Sequence, residues 1–293
     1  MQENKEMDAL FQLIDDPDEE VFGVVSTKII DYGKEIIPNL EHLWENTINT
    51  AALARIEHLI HRLHFYDLKD ELIRWMEEED PDLLTGALLV SKFQEPDLST
   101  GSVFQEIERL RRNIWLELNS YLTPLEQVNV VTSILYNYYS LKGEVLDHRA
   151  PEKFLLHQVL ETKVGNGLTN GILYIILSSL LDVPVQAVQI PRHFLLAYYS
   201  PDYSNFVQEG TPQLKPLFFI EPMTGQLYSQ QEIEEYLLRQ KIEMKPEYYQ
   251  PMSHFEIIEH LFHEFSLCFK EEKEKIKREE LTELSNLLLK KQL

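Results

Sequence analysis

The chain has 293 residues, room for one large domain or two modest ones. Hydrophobic residues make up 44% and charged residues 26%, the balance of a folded globular protein and not of a disordered one. With 49 acidic against 27 basic side chains the formal charge is −22, which argues against nucleic acid and anionic membranes as partners, because such a surface offers no broad release of counterions.

Cys268 is the single cysteine, so one chain can build neither a disulfide framework nor a cysteine-based metal site. The opening MQENKEMDAL lacks the apolar stretch of a secretory signal. The longest apolar run, 172–181, includes Ser178 and Ser179 and is too short to span a bilayer. These features predict a cytoplasmic protein with no membrane partner.

From Met7 to about Gln94 the apolar spacing is helical. Leu10, Leu13 and Ile14 share one face. Asp16-Pro17-Asp18-Glu19 reads as a helix start, with Asp16 as N-cap and Pro17 in the first position. Val21, Val24, Val25 and Ile29 continue an apolar face that Gly33 closes. Ile36, Ile37, Leu40, Leu43 and Trp44 form another short helix. These paired helices resemble HEAT-type repeats, too few for a regular solenoid. Further helices are expected over 50–63, 66–78 and 81–94. His58, His61 and His64 lie there at helical spacing, but only successive pairs can be neighbours and no carboxylate completes a metal site.

Helices over 103–118 and 124–139 follow, the second opened by a capping box of Thr123 and Glu126. Tyr136, Tyr138 and Tyr139 read as packing aromatics. Gly143 and Pro151 interrupt the pattern and place a domain boundary near 145.

A short helix over 154–162 leads into Val164-Gly165-Asn166-Gly167. Thr169 or Asn170 can cap a helix over 171–181 that is apolar nearly all round and therefore buried. Strands are expected over 185–190, 194–199 and 217–220. The first two are separated by Pro191-Arg192, and the third ends at the turn Glu221-Pro222-Met223-Thr224-Gly225. A polar loop fills 200–216. A buried helix whose N-terminus meets a sheet, with His193 opening one strand and Glu221 ending the next, is the geometry that serves a thiol nucleophile. The helix dipole and an imidazolium lower the thiol pKa, and the carboxylate orients the imidazole.

The last stretch reads as helices over 231–239 and 253–269, the latter with a Ser253–Glu256 capping box. His260, His263 and Glu264 share a helical side, with His254 and Glu259 nearby, but the order is H-x-x-H-E and not the H-E-x-x-H of zinc peptidases. Residues 270–280 alternate in charge, as a solvated face does. Leu281, Leu284, Leu287, Leu288 and Leu289 make a final amphipathic helix.

KVGNGLTNGILYIILSSLLDVPVQAVQIPRHFLL followed by FFIEPMTG resembles the transglutaminase-like superfamily, and more narrowly its bacterial SirB-type branch. RIEHLIHRLHFYDLKDEL, LLTGALLVSKFQEPDL and LTPLEQV resemble the same branch, so the likeness runs from about Leu10 to Met252. It implies an α+β fold: a mainly helical, HEAT-like part over 1–145, a transglutaminase/papain-like core with a small antiparallel sheet over 146–228, and C-terminal helices over 229–293 akin to a tetratricopeptide hairpin. It also implies that Gly167 stands where active members carry cysteine, that His193 matches their histidine, and that Glu221 replaces their usual aspartate. Asn166, Thr169 and Arg192 are the neighbours of this degenerate triad. Cys268 lies about a hundred residues downstream and reads as a small buried hydrophobe.

The expectation is a catalytically inactive module that binds or regulates a protein partner, with no cofactor and no metal; oligomeric state is not legible. Two alternatives stand beside it. One is a hydrolase or acyl transferase with the Thr169 hydroxyl as nucleophile and His193 as base. The other is a metal-dependent hydrolase built on the C-terminal His/Glu cluster.

Overall fold

The structure, a computed structural model, describes residues 2–200 and 216–291; most of the polar loop expected over 200–216 lies outside them. By contact the chain divides into two compact units, 1–74 and 75–293.

The first unit holds helices α1 (Gln2–Gln12), α2 (Glu19–Asp31), α3 (Ile37–Asn46) and most of α4 (Thr50–Glu77). Its core gathers Leu10, Ile14, Val25, Ile29, Leu40, Ile56 and Leu59, the apolar face foreseen from their spacing. The cap of α2 is Asp18, not Asp16: its carboxylate accepts the Glu20 amide at 2.9 Å, while Asp16 accepts the Asp18 amide, so Pro17 stays outside the helix. Arg55 ties the α1–α2 turn by donating to the carbonyls of Ile14 and Asp16 at 2.9 and 2.6 Å. Helix α4 is one helix of 28 residues where two were expected. Its sequence contains neither glycine nor proline, so nothing interrupts the backbone ladder at 64–65.

The second unit continues with α5 (Leu83–Gln94), α6 (Gly101–Glu117) and α7 (Pro124–Thr132). Thr123 and Glu126 form the expected capping box. Helix α7 runs on as a π-helical stretch, Ser133–Tyr138, in which the Tyr139 amide reaches the Ile134 carbonyl at 2.7 Å. Strand β1 (Lys142–Glu144), helix α8 (Leu156–Thr162), strand β2 (Val164–Asn166) and helix α9 (Gly167–Ser179) follow. Strands β1 and β2 pair in parallel, with Gly143 opposite Gly165. Strands β3 (Val185–Ile190), β4 (His193–Tyr198), β5 (Phe218–Ile220) and β6 (Leu227–Tyr228) make an antiparallel meander in that order. Helices α10 (Gln230–Arg239), α11 (His254–Ser266) and α12 (Lys275–Lys291) close the chain. Ser253 and Glu256 cap α11 as foreseen; Ser229 and Glu232 cap α10 likewise. Helix α12 takes in part of the charged run that reads as a solvated connection.

This α+β unit is organised by α9. Leu168 to Ser178 are all buried, and each large apolar side chain among them contributes about 1.5–3 kcal/mol relative to exposure. Helix α9 lies on one face of the meander: a Cβ at Gly171 would stand 2.6 Å from the Phe194 ring, and Leu196 is beside it. The opposite face packs Val188, Ile190, Leu195, Ala197, Tyr199 and Phe219 against Ile233 and Leu237 of α10 and against Tyr249. The division between the units falls inside α4 and not at the interruption near 145. Helices α5 and α6 pack on α8 and α9, so they belong to the same body as the sheet.

Candidate functional site at the start of helix α9

Helix α9 begins at Gly167, four residues before the expected start, and Asn166 is its cap. The Asn166 Oδ1 accepts the Thr169 amide at 2.9 Å, and its Nδ2 donates to the Lys153 carbonyl at 3.2 Å. The Thr169 hydroxyl donates to the same Lys153 carbonyl at 2.8 Å. Both side chains are fully buried. Thr169 therefore fixes the segment before α8 to α9, and its proton is held by a peptide carbonyl, with no base bonded to it among the described residues.

The turn after β5 lies beside this helix end. The Glu221 carboxylate accepts the amides of Met223 and Thr224 at 2.9 and 3.0 Å and the Thr224 hydroxyl at 2.8 Å. It closes its own turn through these bonds. The Tyr136 hydroxyl donates to the Pro222 carbonyl at 2.6 Å. Burial, with the neighbouring Tyr174 and the negative charge of Glu221, holds the Tyr136 phenol well above its ordinary pKa, so it stays a neutral donor. Gly143 of β1 lies flush against the Met223 backbone, and any Cβ there would overlap it. Gly225 has φ +75° and faces Thr132, whose side chain a Cβ would likewise strike. Gly167 is different. A Cβ there would meet Met223 Cγ at 3.5 Å and Pro222 Cγ at 3.8 Å, which is ordinary contact.

His193 is not brought to this point. Side chains alternate along β4: Phe194 and Leu196 meet α9, so His193, Leu195 and Ala197 project to the α10 face. The His193 ring stands edge-on to Tyr236 of α10, with centroids 4.9 Å apart, and is exposed. Among the described residues no hydrogen bond or ion pair joins it to Glu221. Arg192 sits at the tip of the two-residue β3–β4 loop, exposed, at φ +70°, the conformation that a Pro-initiated turn usually gives to glycine.

The other candidates are dispersed. The His254 Nδ1 lies 2.7 Å from the Pro81 carbonyl, Glu259 accepts the Ser285 hydroxyl at 2.7 Å, and Glu264 meets His148 at 2.9 Å. His260 stacks on Phe194, and burial lowers its pKa in spite of the nearby Glu264 and Glu259. Among the described residues no three His, Cys, Asp or Glu side chains stand together as metal ligands. Burial, with the negative charges of Glu152 and Glu264, pushes the Cys268 thiol up to about 12, so it is no relocated nucleophile. A cleft of about 500 Å³ is lined by Gln189, Glu247, Gln250, Glu259 and His260 among others; none of Gly167, His193 and Glu221 lines it.

Sequence reasoning missed Met223, Tyr136 and Gly143. Tyr136 read as packing, and the parallel three-residue pair that puts Gly143 beside Met223 leaves no periodic signal. Gly225, ending an EPMTG run, was the one local hint of a tightly folded turn.

A buried helix laid across an antiparallel meander, its first turn against the loop that ends a strand, defines an α+β core. A family model for the transglutaminase-like superfamily matches residues 101–263. The chain belongs to that superfamily, and its relatives set it with the SirB-type branch. SirB1 of Salmonella typhimurium is 23% identical over 155 residues, 53% of this chain and 53% of SirB1. The UPF0162 protein YchA of Escherichia coli K12 is 25% identical over 120 residues, 41% of this chain and 45% of YchA. Mouse F-box only protein 21 is 30% identical over 71 residues, 24% of this chain and 11% of that protein. The chain thus spans about half the length, or less, of the curated relatives it matches. No solved structure matches it significantly. Among the described residues no helix is long and apolar enough to cross a membrane.

Proposed function

We propose that this chain is a catalytically inactive transglutaminase-like protein that acts as a protein-binding or regulatory module. The observation that carries the reading is the phase of His193. One residue away from the α9-facing Phe194, it projects to the far side of the sheet, where an imidazole cannot serve a group at the start of α9. Three facts support it. Position 167 has no side chain, Thr169 is bonded to the Lys153 carbonyl, and the Glu221 carboxylate is occupied by its own turn. The buried Thr169 hydroxyl disfavours an acyl transferase that would use it as nucleophile, and the scattered C-terminal His/Glu cluster disfavours a metal hydrolase.

The helices of 1–74, read as HEAT-like, offer the kind of surface on which helical repeats dock partners, and a charge of −22 suits a partner with a basic face. The test is a turnover assay on the purified full chain, scoring ammonia release, amide hydrolysis and amine incorporation into glutamine peptides. The expected result is no turnover above buffer, with His193→Ala folded like the parent. Turnover that His193→Ala abolishes would overturn the proposal.

A further inference from the structure

We infer that the open edge of strand β3 and the cleft beside it form a docking groove for an extended, lysine- or arginine-bearing segment of a partner protein. The inference rests on reading the chain as a partner-binding module, and it adds where the partner sits and what chemistry it brings.

The ladder defines the edge. Strand β3 stands at one side of the meander, with β4 as its neighbour. The Tyr199 amide reaches the Pro184 carbonyl at 2.9 Å, and the register places the pairs Gln186–Ala197, Val188–Leu195 and Ile190–His193 in the same phase. Alternation along an antiparallel pair then turns the peptide groups of Val185, Ala187 and Gln189 outward. The Val185 amide is used by the Val183 carbonyl at 2.8 Å, and the Ala187 carbonyl accepts the Met252 amide at 2.9 Å. Beyond that point, among the described residues, no hydrogen bond reaches the outward N–H or C=O of Gln189, and the residue is exposed. An open edge is a template for another strand. Extended peptides bind such edges through main-chain hydrogen bonds and gain specificity from neighbouring side-chain pockets.

The cleft of about 500 Å³ supplies that pocket, since Gln189 lines it together with the 250–252 segment and one side of α11; the volume suits a bound side chain and its flanking backbone. Gln189 lies opposite Phe194 across the ladder, and His260 of α11 stacks on the Phe194 ring, so edge and cleft meet there. The lining carries the carboxylates of Glu247, Glu256 and Glu259 and no lysine or arginine. Glu256 Oε2 accepts the Ser253 amide at 2.6 Å, and Glu259 Oε1 accepts the Ser285 hydroxyl at 2.7 Å. Each of these two carboxylates is thus anchored by one oxygen and keeps the other for a cation. Carboxylates held around one cleft repel one another, and a cationic side chain among them removes that repulsion.

The experiment titrates the full chain with a fluorescein-labelled heptapeptide of alternating valine and lysine, read by fluorescence anisotropy. The comparators are the same peptide with glutamate for lysine, the lysine peptide N-methylated on alternate backbone amides, and N-acetyl-lysine amide as a competitor. The lysine peptide is expected to bind at least about tenfold tighter than each of them. The double variant Glu247→Gln/Glu259→Gln, which keeps an acceptor for Ser285, should weaken it about tenfold. Gln189→Pro removes an outward N–H at an edge position that tolerates proline and should weaken it about fivefold. Equal affinity for the lysine and glutamate peptides, or no loss in the double variant, would overturn the inference. Competition by N-acetyl-lysine amide as strong as by the peptide would give the cleft to a free cation and overturn it likewise. Should Gln189→Pro not fold, the N-methylated peptide on the parent chain decides, and undiminished binding would refute strand addition. Turnover by the parent protein would sink the inactive reading and leave these affinities as they are, so the two failures are distinguishable.

Discussion

Around the first turn of α9, Gly143 and Gly225 stand where no side chain fits, and Tyr136 and Glu221 are each committed to one bond pattern. At the β3–β4 hairpin an arginine occupies a backbone conformation that glycine would adopt without strain, and the histidine beside it rests an exposed ring edge-on to Tyr236. A working thiol site would need both regions tightly set, nucleophile and base alike. Here the shape-specific residues lie around the start of α9, where position 167 is glycine, and the histidine lies on the other face of the sheet. The difference teaches that the fold retains a well-determined helix end for a structural reason, the seating of the turn after β5.

Several changes would break or sharpen that contrast. The largest expected effect concerns the remaining thiol. With its pKa pushed to about 12, native Cys268 should react with iodoacetamide at pH 8 about a hundredfold or more slower than in urea, where its ordinary pKa returns. The native rate should still be climbing at pH 10; a plateau near pH 9 would mean that burial does not hold the Cys268 thiol up. Next comes Gly143→Ala, which forces a Cβ into the Met223 backbone and should cost about 3 kcal/mol, read as a lower midpoint in urea unfolding. A neutral outcome would show that the turn moves freely. Arg192→Gly relieves the left-handed conformation and should stabilise by about 1 kcal/mol, with no change in turnover. A loss of stability would mean that the arginine has a structural partner at the tip. Gly167→Ala should lie within about 0.5 kcal/mol of the parent, since its Cβ finds ordinary contact and a helix position accepts alanine.

Local chemistry was readable in the sequence. The capping boxes at Thr123 and Ser253 are written within four residues and appear as expected, and Pro191-Arg192 marks the hairpin that joins β3 to β4. The burial of α9 followed from its lack of a polar face. What was not legible depends on pairing between distant segments. Asn166, Thr169 and Asn170 are equally competent caps by type, and only the Lys153 carbonyl decides among them. The face taken by His193 could not be read, because the run after it is apolar at every position and buried on both faces, so alternation leaves no mark. The parallel pair of β1 and β2 is three residues long and joins segments some twenty residues apart, too short for a periodic signal. The unbroken α4 was missed because aromatic and histidine residues at 64–66 weaken helix propensity without ending a helix.

The π-helical stretch Ser133–Tyr138 has a consequence for how the chain tolerates length changes. Its i→i+5 pattern accommodates one more residue than an α-helical turn would. Removing Asn137 would let that segment relax to the ordinary pitch, so the elements on either side would keep nearly the same phase while the residues within the stretch turn relative to one another. Tyr136 would lose its angular relation to Tyr139, whose hydroxyl donates to the Leu160 carbonyl at 2.7 Å, and one of the two anchors would have to let go. A single-residue deletion in a helix more than eighty residues upstream in sequence would thus be felt at Pro222, which makes the phase of that helix a gauge of whether the turn after β5 is seated.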